Sequence, residues 1–559
     1  MRLLSTRNIV VDLILLAALT AVALKLTHGV RTWMDLALVD ESGYLQLGVN
    51  IPRDGLPHAS WGVLYSIWYF VLDFFTGDRV SLQFRGFRLL VLLMATVPYL
   101  AMRRLGALPG LAAAVSFVFL LSASPFPEPR PMHLAVVVLS LFGFLAASVR
   151  SRMVSAGLLT IGFLLASLAR VELFLCFLVM ASCLGVAAVR RILRSEERRA
   201  TLWATGVVAV VSIAVISSLG SPISGGRSGE AFGQHFALNY VQWTGTPLNP
   251  WTDTDLIIEE VFGEINGLGS ALVANPAAFG RHVSQNLLLY GRRSLELILP
   301  VPRPLPEVVT LILRWAVAAG LLTSIALVAV LGYLRKGSRK RTVDDSGLAW
   351  FALYVGLAVS VVAASAVVIY PREHYLVGQT LLVGAVIAVQ LSRLLKTDGN
   401  SAQRLRSPLG ALGLGIVVLL LMPNRAAMVT DEVRANPLHQ PGLKTVETVR
   451  ALGLRGGVRI LHDVGLVAPY LGDDVIDVNQ SSKPRDQAFS AFRQETGVNV
   501  ILVRGTLLAD TRFRDDPEWR ALISDPEGHG FRRMKIANTR RHLLVDRSVP
   551  GLLGSPAEP

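Results

Sequence analysis

The segment Asp35-Leu-Ala-Leu-Val-Asp-Glu-Ser-Gly-Tyr44 follows the first long apolar stretch of the chain and carries an adjacent carboxylate pair, Asp40 and Glu41. Carboxylates beside a membrane are costly if dehydrated. One of a pair can take the proton of an acceptor hydroxyl while its neighbour orients it or binds a metal. The competing account is a solvated loop with an acidic helix start, because Asp and Glu favour a first helical turn. Further polar groups lie at Ser124-Pro-Phe-Pro-Glu128-Pro129, at Arg170-Val-Glu172 and at Tyr370-Pro-Arg-Glu-His-Tyr-Leu376. Arg170, Arg292, Arg293, Arg303 and Arg372 are cationic side chains that could bind an anionic group. Arg372 is the preferred choice because it sits at the mouth of an apolar segment. A snorkelling interfacial anchor is its alternative role.

The elements that must position these groups are membrane spans. The chain is 52% hydrophobic and only 17% charged over 559 residues, so a bilayer must solvate much of it. Apolar segments run at about 9–27, 88–102, 109–122, 132–148, 153–168, 171–189, 202–219, 308–334, 347–369, 375–392 and 408–422. Several fall short of the ~20 residues of an upright span. The first is read as a retained anchor rather than a signal peptide, since many spans follow it. The formal charge of +14 does not point to nucleic acid. From Pro423 onward 19 Lys+Arg face 17 Asp+Glu, whereas the first 422 residues hold 35 against 23. With a cytoplasmic N-terminus, alternating spans place 20 of those 35 basic residues in inner loops, as short cytoplasmic loops require. The loops 28–87, 123–131, 220–307 and 370–374 then lie outside. Cys176 and Cys183 stand two helical turns apart, roughly 10 Å, too far for a disulfide.

Within the outer loops, Trp61–Phe75 reads as an aromatic interfacial helix rather than a span. The run Asn275–Tyr290 reads as an amphipathic surface helix with His282 and Asn286 on one face. That face is expected to meet water, with substrate contact by His282 as the alternative. Ser221 to Gly229 is expected to be a mobile stretch that could gate a lipid entrance. In the tail, Val458–His462, Val498–Val503 and Arg541–Asp546 read as strands and Asp486–Thr496 as a helix, which gives a small α/β layered domain. It contains no Gly-rich phosphate loop, metal-ligand spacing or nucleophile elbow, so acceptor binding or cover of the outer face is its expected work.

An Asp-Glu pair, a small residue and Tyr44 after a first span resemble the catalytic loop of the GT-C superfamily. These are polytopic glycosyltransferases that use polyprenyl-phosphate sugars, among them protein mannosyltransferases and aminoarabinose transferases. The second outer loop with Glu128, the Arg170-Val-Glu172 turn, and the tail around Val458–Asp463 and Val475–Val478 are similar as well. Tyr370–Leu376 departs from the Pro-Arg-Tyr-like pattern by interposing Glu373 and His374 before Tyr375. The resemblance implies a polytopic α-helical membrane protein of about eleven spans (1–422) with a C-terminal extracytoplasmic α/β domain (423–559). It implies Asp40 as general base, Glu41 as its partner and Glu128 as a second carboxylate. Arg372, Arg170, Arg292 and Arg293 would hold the donor phosphate; Tyr44, His374, Tyr375 and His282 are substrate-contact candidates. The expected partners are a polyprenyl-phosphate sugar donor, a lipid, glycan or protein acceptor, and membrane lipids, in a bacterial inner membrane. A divalent metal stays open as a cofactor. The alternatives are a transporter or flippase of lipid-linked glycans, and a glycan ligase or polymerase that would rely on His282 and Arg292.

Overall fold

A computed structural model describes residues 6–122, 130–194, 198–224, 227–298, 344–395, 407–421, 426–454, 457–463 and 465–549. Among these, seven helices are long and apolar enough to cross a membrane: Ile9–Trp33, Arg79–Arg104, Pro131–Ser148, Leu173–Leu193, Arg198–Leu219, Ala349–Val368 and Glu373–Leu395. Three shorter apolar helices, Pro109–Leu121, Arg152–Ser167 and Pro408–Leu420, match the other short segments. The expected segment 308–334 lies outside the described residues. Runs of Leu, Ala and Val suit such helices because each satisfies its own backbone hydrogen bonds, as hydrocarbon demands.

The second long helix begins at Arg79, nine residues before the expected 88. Asp78 caps it, accepting from the amides of Val80 (3.3 Å) and Ser81 (3.0 Å). At 26 residues it is about 39 Å long, more than a hydrocarbon core of ~30 Å needs, so it carries structure beyond the bilayer. Near its other end Arg103 forks onto Asp12 of the first helix at 2.6 and 3.0 Å. Tyr99 donates to the same carboxylate at 2.5 Å. A charge in an apolar bundle is tolerable when it is paired in this way.

The long loops between these helices are mostly helical among the described residues. Val63–Asp73 has 11 residues, roughly 16 Å, too short to span, and it leads into the exposed Phe74 and Phe75. Residues 227–298 form the helices Arg227–Thr244, Thr254–Phe262, Leu268–Ala274 and Pro276–Ile298 around Phe232, Phe236 and Phe262. A helix thus starts inside the stretch expected to be mobile, and Arg227 is tied down there by bonds given below.

The tail forms a mixed sheet in the order β2-β1-β3-β5-β4, with β1 Val458–His462, β2 Val475–Asn479, β3 Val500–Val503, β4 Phe531–Lys535 and β5 His542–Asp546. β1 pairs in parallel with β2 and β3; β5 pairs antiparallel with β3 and β4. The helix Phe489–Thr496 precedes β3, slightly shorter than expected. Val458, Ile460, Val500, Leu502, Leu543 and Val545 on one face belong to the core that continues into the helical bundle. Leu461, Ile501, Val503 and Leu544 on the other pack with Phe489, Phe492, Phe513 and Trp519. With both faces covered, β3 is buried at every position, which explains its unbroken apolar run.

Candidate active site

Asp40 and Glu41 open the helix Asp40–Val49. Consecutive helical positions point about 100° apart, so the two carboxylates enter different surroundings. The Asp40 side chain is 42% exposed and lies 3.3 Å from the Arg130 guanidinium. Glu41 is fully buried; it accepts a hydrogen bond from Tyr65 at 2.6 Å and another from Tyr69. Both tyrosines belong to Val63–Asp73. Burial first, and then the Glu41 charge, pushes their pKa well above the ordinary phenol value, so they remain donors. Glu41 thus ties the Asp40 helix to the helix Val63–Asp73. Gly48 permits the same close approach, since a Cβ there would stand 2.5 Å from the Ser66 carbonyl oxygen.

Arginines gather around Asp40. Arg227 donates to the Tyr44 hydroxyl at 3.0 Å and to the Ser60 carbonyl at 3.3 Å, and lies 4.7 Å from the Trp61 ring centroid. Arg170 pairs with Glu172 at 2.6 Å and covers the Tyr375 ring at 4.4 Å. Arg372 lies 5.4 Å from the Trp251 ring centroid and has no hydrogen bond or ion pair from its side chain among the described residues. Burial raises the Tyr44 pKa; Arg227 and Arg170 pull it down and Asp40 pushes it up, so all three charges act at that hydroxyl. His374 stands edge-on to Tyr375 at 4.3 Å, within electrostatic reach of Arg130, Arg170, Arg372 and His133. Arg293 donates to the Pro371 carbonyl at 3.1 Å and lies 5.3 Å from the Tyr370 ring centroid.

Asp40, Tyr44, Arg170, Arg372, His374 and Tyr375 thus share one neighbourhood, with Arg293 at its edge. Arg292 instead makes an exposed i,i+4 pair with Glu296 at 3.0 Å. His282 does not face water. It and Asn286 are buried, and Asn239 donates to both, at 2.9 and 3.0 Å. His282 Nε2 lies 3.2 and 3.0 Å from the carbonyls of Val368 and Ile369, and Asn286 donates to Val367 at 3.0 Å. The polar face turns inward because the last carbonyls of a helix have no partner within it. Glu128 and Arg303 lie outside the described residues.

Arg130, Arg227 and His235 joined the site without being singled out in the sequence. His235 is 3% exposed, with its ring tilted against Tyr370 at 5.2 Å and edge-on to Trp251 at 6.0 Å. Its Nδ1 lies 2.7 Å from the Ala231 carbonyl, and its Nε2 has no hydrogen-bond partner among the described residues. Burial, assisted by Arg372, lowers its pKa to about 4, so the ring is neutral near pH 7 with Nδ1 as donor and Nε2 as a free acceptor. The only sequence signal for it is a polar residue inside a cluster of aromatics. Among the described residues no three His, Cys, Asp or Glu side chains are grouped to hold a metal ion.

No family model and no curated protein matches the chain. The structure is similar to the Archaeoglobus fulgidus oligosaccharyltransferase in complex with zinc and sulfate, with 12% sequence identity and a TM-score of 0.39 over 87% of this chain and 67% of that one.

Proposed function

We propose that the chain is a membrane glycosyltransferase that moves a sugar from a polyprenyl-phosphate donor to an acceptor hydroxyl, with Asp40 as general base. One observation carries the reading: an exposed carboxylate set among arginines, two of which, Arg227 and Arg372, have no carboxylate partner among the described residues. A lone base needs no such surroundings; a base beside a departing phosphate does. The acceptor O–H gives its proton to Asp40, its oxygen bonds to the anomeric carbon, and the bond from that carbon to the phosphate oxygen breaks. Polyprenyl phosphate leaves with the electron pair, held by Arg372 and its neighbours, and the anomeric configuration inverts.

On this reading the site lies on the outer face of a bacterial inner membrane, with residues 423–559 outside and the donor's tail among the helices 1–422; the basic residues of the short loops support that orientation. The acceptor would be a lipid, glycan or protein hydroxyl. In favour of this reading over the ligase alternative, His282 lies against helix-end carbonyls and Arg292 pairs with Glu296.

The test is a panel of polyprenyl-phosphate sugars offered to the protein in nanodiscs, with release of polyprenyl phosphate measured. Arg372→Ala should raise the donor KM by about tenfold to a hundredfold, the worth of a charge-assisted hydrogen bond. An unchanged KM would remove the arginine from the donor site.

A further inference from the structure

The residues leading into Asp40 are gripped by the tail along their whole length. Arg31 pairs with Glu447 at 2.8 Å. Gln440 donates to the carbonyls of Arg31 and Met34 at 2.7 and 2.6 Å. The Asp35 carboxylate accepts from the amides of Gly442 and Leu443 at 2.9 and 2.8 Å, capping the helix Pro441–Ala451 from a distant part of the chain. Leu36, Ala37 and Leu38 are buried. The last grip lies two residues before Asp40, where the Leu466 amide donates to the Leu38 carbonyl at 2.6 Å. Ser42 Oγ donates to that same oxygen at 2.5 Å, so one carbonyl joins the tail to the first turn of the Asp40 helix.

The tail side of this contact is itself fixed. Gly465 has φ +97, and a Cβ there would collide with the Leu38 carbonyl oxygen and Val39 Cα. Asp477, half-buried in β2, accepts from the amides of Val467 and Ala468, each at 3.0 Å, and from His462 Nε2 at 2.9 Å. Tyr470 at the end of the same turn donates to Gln83 at 2.5 Å.

We infer that the C-terminal domain sets the place of Asp40 through the contact of Gly465 and Leu466 with Leu38, which makes Gly465 a positioning residue for the transfer. The inference rests on the reading of Asp40 as the base. It gives the domain work beyond covering the outer face: a shift of about 1 Å in a reacting group is enough to cost a hundredfold in rate.

Gly472 supplies the control, because it also has positive φ (+129) in the same domain but nothing within 4 Å of a Cβ. Gly465→Ala and Gly472→Ala are made in the full chain, each also on an Asp40→Asn background. Release of polyprenyl phosphate is followed in nanodiscs with the donor that the wild type turns over. The expected result is a kcat about a hundredfold lower for Gly465→Ala, with the donor KM within about threefold and Gly472→Ala close to wild type. On the Asp40→Asn background Gly465→Ala should cost nothing further, since residues acting through one group are not additive. The inference is overturned by a wild-type kcat in Gly465→Ala, by an equal loss in Gly472→Ala, or by the same loss on both backgrounds. Should Gly465→Ala fail to fold, Asp35→Ala on the same strap is read in the same cycle, with about a tenfold loss of kcat expected. Asp40→Asn alone tests the base: if its kcat equals wild type, the reading of Asp40 fails whatever Gly465 does.

Discussion

A carboxylate's work depends on which way its helix turns it. Asp40 meets Arg130 and water, whereas Glu41 is sealed beneath Tyr65 and Tyr69. The adjacent acids were visible as a pair in the sequence, but their division was not. It depends on the helix Val63–Asp73, some 25 residues further on. Glu41→Ala leaves two buried hydroxyls without their acceptor, at a cost of about 1–3 kcal/mol each. It should lower the thermal unfolding midpoint markedly, and an unchanged midpoint would mean that Glu41 does not anchor the helix. The buried histidines give a pH signature. His235 and His282 both have pKa values pulled to about 4 from 6.5, chiefly by burial. Above pH 6.5 neither the folded nor the unfolded chain protonates them, so they cost nothing. As pH falls from 6.5 toward 4 only the unfolded chain takes up the protons, and stability drops. Unfolding midpoints measured across that window should fall less steeply for His235→Gln than for wild type; an identical slope would contradict the assignment.

At the scale of the element, long apolar helices were readable because a bilayer forces nearly every residue of a span to be apolar. The starts of helices were harder. Asp78 caps the second span well before its apolar part, so hydropathy alone placed it at 88. The strands not foreseen as such, β2 and β4, are the two sheet edges; Arg532, Arg533 and Lys535 give β4 the charged character that blunts edge pairing. The amphipathic helix expected over Asn275–Tyr290 is found as Pro276–Ile298, but with His282 and Asn286 turned inward, where they satisfy the carbonyl end of Asp344–Val368. His282→Ala should therefore destabilise the protein by about 1–3 kcal/mol while leaving the donor KM unchanged. A raised KM with unaltered stability would return His282 to the substrate.

Taken whole, the molecule brings distant stretches of chain to one place. Asp40 follows the first span, Arg130 opens another, Arg170 joins two short turns, and Arg372 precedes a late span. Spacing in the sequence cannot show that these meet; the order of outer loops suggested a shared face, and Arg227 and His235 had no motif to mark them. The tail ties the arrangement together, with Arg485 on Asp253 at 2.5 Å, Arg512 on the Thr252 carbonyl at 2.7 Å, and its sheet continuing the bundle core. On the proposed mechanism Asp40 removes the acceptor's proton while a polyprenyl phosphate departs beside it. The most direct measurement is release of polyprenyl phosphate by wild type and by folded Asp40→Asn in nanodiscs across a panel of polyprenyl-phosphate sugars with candidate acceptors. Release from a particular donor is expected, falling by about a hundredfold to ten-thousandfold in Asp40→Asn, the range for a general base. Equal release from the two proteins, or none from any donor, would contradict that mechanism.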